Sequence, residues 1–124
     1  MLENSMKIIW FLLLALHVEA NDMSSLLYNG NCITCHKATK AESAPAMIDI
    51  QSTYKKAFKT KKEFIEYMSK WVVSPNEDGS LMRHAIKKYE LMPVLGFDED
   101  TMLDISSFIY ENDFTTNGER YWKK

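Results

Sequence analysis

The chain has 124 residues, 46% of them apolar and 26% charged, with 15 basic and 17 acidic side chains and a formal net charge of −2. That length predicts a single domain. The charge balance supplies neither the basic excess of a nucleic-acid-binding protein nor the long acidic run of a solvating tail.

Residues 1–20 read as a secretory signal peptide. Lys7 precedes an unbroken apolar stretch over 8–16, and Val18 and Ala20 occupy the outer positions of an A-x-A-like cleavage site. Glu3 is out of place in a basic leader, and Met6 is an alternative start. The stretch is about half the ~20 apolar residues that a membrane-spanning helix needs, so cleavage after Ala20 is expected, with no membrane span in the mature form. Loss of Lys7, Glu3 and Glu19 leaves 14 basic and 15 acidic residues, a net charge of −1.

The spacing predicts a first helix over 22–31, capped by Asp22, with Met23, Leu26 and Leu27 on one face. Gly30 then leads into Cys32-Ile33-Thr34-Cys35-His36, a C-x-x-C-H run that is the attachment signature of a c-type haem. Thiols three positions apart lie about one helical turn apart and can add to two vinyl groups on one edge of a haem. The adjacent imidazole can take an axial position on the iron. Both cysteines of the chain are used here.

Residues 37–46 read as a loop, followed by a short apolar cluster at Met47, Ile48 and Ile50 that ends near Tyr54. Lysines 55, 56, 59, 61 and 62 read as a solvated connection, or alternatively as a docking patch for an acidic redox partner. Over 60–73 the helical pattern is clear: Thr60 and Glu63 form a capping box, and Phe64, Ile65, Met68, Trp71 and Val72 make a buried stripe. A further helix is expected over 80–89, with Leu81, Ala85 and Tyr89 inward and Arg83, Lys87 and Lys88 in water.

Pro93 and Gly96 make 91–97 a loop. The last helix spans 98–112, with Asp98 as N-cap, Glu99 and Asp100 in the first turn, and a stripe of Met102, Ile105, Phe108 and Ile109. Residues 114–124 are assigned to a C-terminal tail; 115–124 is polar apart from Tyr121 and Trp122 and lacks a helical period, with Trp122 able to pack back onto the domain. No stretch alternates like a strand. The expected organisation is a leader over 1–20, one all-α domain over 21–113 with four to five helices, and the tail.

A haem iron needs a second axial ligand. Met92 is favoured because it lies in an irregular loop backed by Pro93, and a thioether is soft, neutral and raises the potential. Met82 and His84 are the rivals; packing is the ordinary role of a methionine, and His84 stands among basic residues.

With Cys32-Ile33-Thr34-Cys35-His36, Pro45 after it, Leu91-Met92-Pro93 and a closing amphipathic helix, the chain resembles the small monohaem Class I cytochromes c of bacterial periplasms over about 22–112. The resemblance implies a cytochrome c fold wrapped around one covalent haem c, with His36 and Met92 as iron ligands. It implies that the Pro45 carbonyl accepts the Nδ1–H of His36, and that Trp71 donates to a haem propionate. It also implies that the first and last helices pack on each other. Ser24 then stands where glycine is usual, and Tyr28 meets an aromatic, Phe108 or Tyr110.

The function implied is one-electron transfer between periplasmic donor and acceptor complexes by a monomer that is not an enzyme. Alternatives are a haem subunit of a larger redox complex and a ligand-binding or sensing cytochrome with a labile methionine. A thiol–disulfide oxidoreductase expects a βαβ context, and a zinc site lacks an evident fourth ligand.

Overall fold

The computed structural model describes residues 20–117. Residues 1–19, which carry nearly all of the expected leader, and Tyr121 and Trp122 of the expected tail lie outside the described residues. Within them the chain is all-α: α1 Ala20–Asn31, α2 Met47–Ala57, α3 Lys61–Val73, α4 Arg83–Tyr89, α5 Glu99–Glu111 and a single turn, α6 Phe114–Asn117, with no strand. No helix among these residues is long and apolar enough to cross a membrane.

The central pair is α3 and α5. The α3 helix starts where its capping box places it: the Thr60 side chain accepts the Glu63 N–H, and the Glu63 carboxylate accepts the Thr60 N–H. At α5, Asp98 accepts the Thr101 N–H at 2.8 Å. These bonds satisfy donors that the first helical turn leaves without an intrahelical partner. The two helices press together through Phe64 and Met68 on one side and Met102, Ile105 and Ile109 on the other, all buried. Ser69 and Ser106 are wholly buried, and the Ser69 hydroxyl donates to that of Ser106 at 3.1 Å. Small side chains let the helices approach, and the mutual bond meets the polar requirement that burial imposes.

α1 packs on α5. Tyr28, 3% exposed, meets Phe108 at a centroid distance of 4.9 Å and Phe114 at 5.6 Å. Of the two expected partners, Phe108 is therefore the one used, while Tyr110 stands edge-on to Phe64 at 5.1 Å. Two readings of this helix change. It already includes Ala20, so position 22 lies within the helix and not at its cap. Its inward face carries Ser24, Leu27 and Tyr28, whereas Met23 and Leu26 are 60% and 66% exposed. The aromatic contacts of Tyr28 set the rotation of the helix, and the expected apolar stripe is turned partly outward.

α2 runs to Ala57, longer than the short cluster expected, and carries Lys55 and Lys56 in its last turn. No side chain caps it at Ala46. Instead the Met47 and Ile48 N–H groups donate to the Lys37 and Ala38 carbonyls at 2.8 and 3.0 Å, so the loop over 37–46 closes on itself. Gln51 reaches the far end of α5, where its Nε2 donates to the Ile109 and Asn112 carbonyls at 2.7 and 2.8 Å. That side chain satisfies carbonyls that a helix C-terminus leaves open. The lysine run is partly committed to structure: Lys61 bonds Glu111 at 2.7 Å, and the Lys55 ammonium lies 4.7 Å from the Tyr110 ring centroid.

The domain does not end at 113. Phe114, the first residue of the expected tail, is 2% exposed and belongs to the core.

Truncating Phe114 tests that boundary. Phe114→Ala is expected to lower the unfolding free energy by about 3–5 kcal/mol in urea titrations; a change below about 0.5 kcal/mol would return 114 to the tail. Thr60→Ala should cost about 1 kcal/mol by the same measurement, the usual cost of losing an N-cap.

Candidate functional site

Cys32 to His36 continue the coil of α1. The Cys32 N–H donates to the Tyr28 carbonyl and the His36 N–H to the Cys32 carbonyl, both at 2.9 Å. This i to i+4 spacing keeps Cys32, Cys35 and His36 on one turn of backbone. All three line a single large cavity of about 220 Å³, against the ~10–15 Å³ that one water requires.

The cavity has two unlike walls. One belongs to the helical core: Ile50 and Tyr54 of α2, Met68, Trp71 and Val72 of α3, Met102 and Ile109 of α5. The other is formed by Leu81, Met82, Ala85, Ile86 and Tyr89 in and before α4, with Leu91, Met92, Pro93 and Leu95 following it. Among the described residues α4 packs directly on no other helix; the cavity lies between. As expected, Ala85 is buried and Arg83, Lys87 and Lys88 are exposed. The surface within is predominantly apolar, the character of a site for a large apolar ligand.

His36 is the best-defined polar group. Its Nδ1 lies 2.9 Å from the Pro45 carbonyl oxygen. A carbonyl only accepts, so Nδ1 carries the proton and, in the neutral ring, Nε2 has a free lone pair. Burial holds the imidazole below its ordinary pKa, although the Pro45 bond works in the opposite direction. The ring is thus oriented from behind, in the manner of metal-binding histidines.

Both cysteines are free thiols, Cys35 exposed and Cys32 half-buried. Burial and the neighbouring Cys35 push the Cys32 thiol up to about 11, and a thiol held protonated is a weak nucleophile in exchange reactions. The two methionines considered as ligands, Met82 and Met92, both line the cavity, but His84 is exposed and does not. No group of three or more His, Cys, Asp or Glu side chains among the described residues could hold a metal by itself.

Trp71 lines the cavity, but its one N–H donates to the Asn76 carbonyl at 3.0 Å. The bond folds the 74–80 loop back on α3. There the Tyr67 hydroxyl donates to the Gly79 carbonyl at 2.7 Å, and the Gly79 N–H donates to Asn76 Oδ1 at 2.7 Å. A Cβ on Gly79 would lie 3.0 Å from Asn76 Oδ1, so a side chain there would crowd the Asn76 amide that caps the turn. Donation from Trp71 to a ligand carboxylate would require giving up the Asn76 bond. Sequence reading did not identify Met68, Tyr89 or Met102 as cavity residues. Each sits in an ordinary helical stripe, and nothing local separates a side chain that faces a cavity from one that faces a core.

No family model matches the chain, and no curated protein or solved structure matches it.

Trp71→Phe keeps an aromatic wall and removes the bond to Asn76. It should lower the unfolding free energy by about 1 kcal/mol, the net worth of a single hydrogen bond; an unchanged urea midpoint would show that the indole N–H does not anchor the loop.

Proposed function

We propose that the protein is a periplasmic one-electron carrier of the Class I cytochrome c type, with one haem c bound through Cys32 and Cys35 and its iron held by His36 and Met92. The observation that carries the reading is that Cys32, Cys35, His36 and Met92 line one apolar cavity although Met92 is far along the chain. The residues present fit the group. Two free thiols share a turn, an imidazole has its Nδ1 proton tied to Pro45, and a thioether lines the same cavity. A bound haem supplies the ferric–ferrous couple.

The chain's own part in electron transfer is to set the ligands and the surroundings. His36 offers Nε2 in a fixed tautomer, and the Pro45 bond raises its basicity as a ligand. The Met92 sulfur is neutral and favours the reduced state. A haem iron held by both His36 and Met92 would have no open site for a substrate, which is why a carrier is preferred to an enzyme. The apolar walls keep water from the site and favour the less charged state. Localisation rests on the leader read in residues 1–20. Lys56, Lys59, Lys87 and Lys88 are exposed and offer weak steering toward an acidic redox partner, screened at physiological salt.

The test is the absorption spectrum of protein produced in a periplasm with haem-attachment machinery. The expected product carries covalent haem with a methionine-to-iron band. Met92→Ala should abolish that band and lower the reduction potential, and His84→Gln should change neither. Replacing both Cys32 and Cys35 with alanine should remove covalent attachment altogether. Absence of covalent haem in the unmutated protein overturns the proposal, and a band that persists in Met92→Ala transfers the ligand role to Met82.

A further inference from the structure

Among the described residues, Glu90 is the one residue other than glycine with a positive φ, at φ 72° and ψ 172°. A left-handed φ with an extended ψ crowds Cβ against the backbone, and essentially only glycine adopts it without strain. Glu90 closes α4, its N–H donating to the Ile86 carbonyl at 2.8 Å. The chain therefore leaves the helix through a strained turn two residues before Met92. On the far side of the same segment Gly96 has φ 76°. A Cβ there would meet nothing within 4 Å, so its requirement is torsional. The two joints make the same kind of demand, and only one is met by the residue suited to it.

Apart from Phe97, which packs against the core, the segment between them has few anchors. None of residues 91–97 takes part in a backbone–backbone hydrogen bond among the described residues. Leu91, Val94 and Leu95 are 37%, 71% and 50% exposed; Glu90, Leu91, Met92, Pro93, Leu95 and Phe97 border the cavity, Val94 and Gly96 do not. Among the described residues α4, to which the segment is attached, packs directly on no other helix.

We infer that Glu90 is a positioning residue for Met92: its left-handed turn directs the chain so that the Met92 thioether reaches the cavity, and the strain held in that turn makes Met92 a displaceable ligand. The inference rests on the proposed His36/Met92 ligation. When Met92 leaves the cavity, Glu90 can relax to a negative φ, so strain present only with Met92 in place favours its exchange for a small external ligand. Glycine at 90 removes the strain. It also loosens the open segment, an opposing and smaller effect.

The test uses the haem-loaded full chain and reads imidazole binding to the ferric protein as loss of the methionine-to-iron band. Glu90→Gly should weaken imidazole binding by about tenfold, whereas Glu90→Ala, which keeps Cβ and loses only the carboxylate, should stay within about twofold of the unmutated protein. In a Met92→Ala background Glu90→Gly should have no effect on imidazole affinity, because the thioether it acts through is gone. Unchanged binding in Glu90→Gly overturns the inference. An equal effect in Glu90→Ala, which would assign it to the carboxylate, or an effect that persists without Met92, which would make it general destabilisation, also overturns it. If the unmutated protein has no methionine-to-iron band, the ligation itself fails and the inference with it. A band present with unaltered exchange in Glu90→Gly refutes the inference alone.

Discussion

The close approach of α3 and α5 is the contact on which the rest of the molecule is hung. Two serines make it possible. Ser69 and Ser106 are fully buried and bonded to each other, so neither hydroxyl is left without a partner and neither side chain keeps the helices apart. Larger side chains at this contact would force them apart, because interiors are packed to near-crystalline density and extra volume has nowhere to go. α1 settles on α5 through Tyr28, and α2 is tied to both helices of the pair, with Gln51 closing the carbonyl end of α5.

From that frame the cavity follows as a boundary between two differently built halves. The core half is made of helices that pack on one another. The other, from Leu81 to Phe97, contains one short helix without a direct helical neighbour and a segment lacking backbone–backbone hydrogen bonds among the described residues. Stability is unevenly spread in such an arrangement, and the parts with few buried contacts are those that open most readily. The thiol–imidazole turn belongs to the firm half and Met92 to the other. One end of the candidate site is held by Pro45 and the coil of α1, and the other depends on two left-handed residues.

Two of the loops are fixed by a few specific bonds. The His36 imidazole and the Met47 and Ile48 amides close the 37–46 loop from opposite ends. Tyr67 and Trp71 on α3 pin the 74–80 turn, and a side chain at 79 would crowd Asn76. Each uses one polar atom per anchor on an otherwise apolar surface, so the loops are ordered without breaking the continuity of the cavity wall.

What the sequence by itself determined is what local chemistry encodes. The thiols and imidazole are adjacent in the chain, so their grouping needed no fold. The Thr60–Glu63 box and the Asp98 cap act within one turn, and the stripes of α3 and α5 follow from a 3.6-residue period. Pro93 and Gly96 disfavour the interior of a regular element wherever they stand. Tertiary structure decided everything that depends on a partner distant in sequence: the Ser69–Ser106 bond, Gln51 on the end of α5, the choice of Phe108 over Tyr110 for Tyr28, the burial of Phe114, and the engagement of the Trp71 N–H by Asn76. It also decided the outward turn of Met23 and Leu26 and the positive φ of Glu90. A side chain carries its own propensity, but its rotation toward core or solvent and the strain its backbone must bear are set by neighbours that only the folded chain brings together.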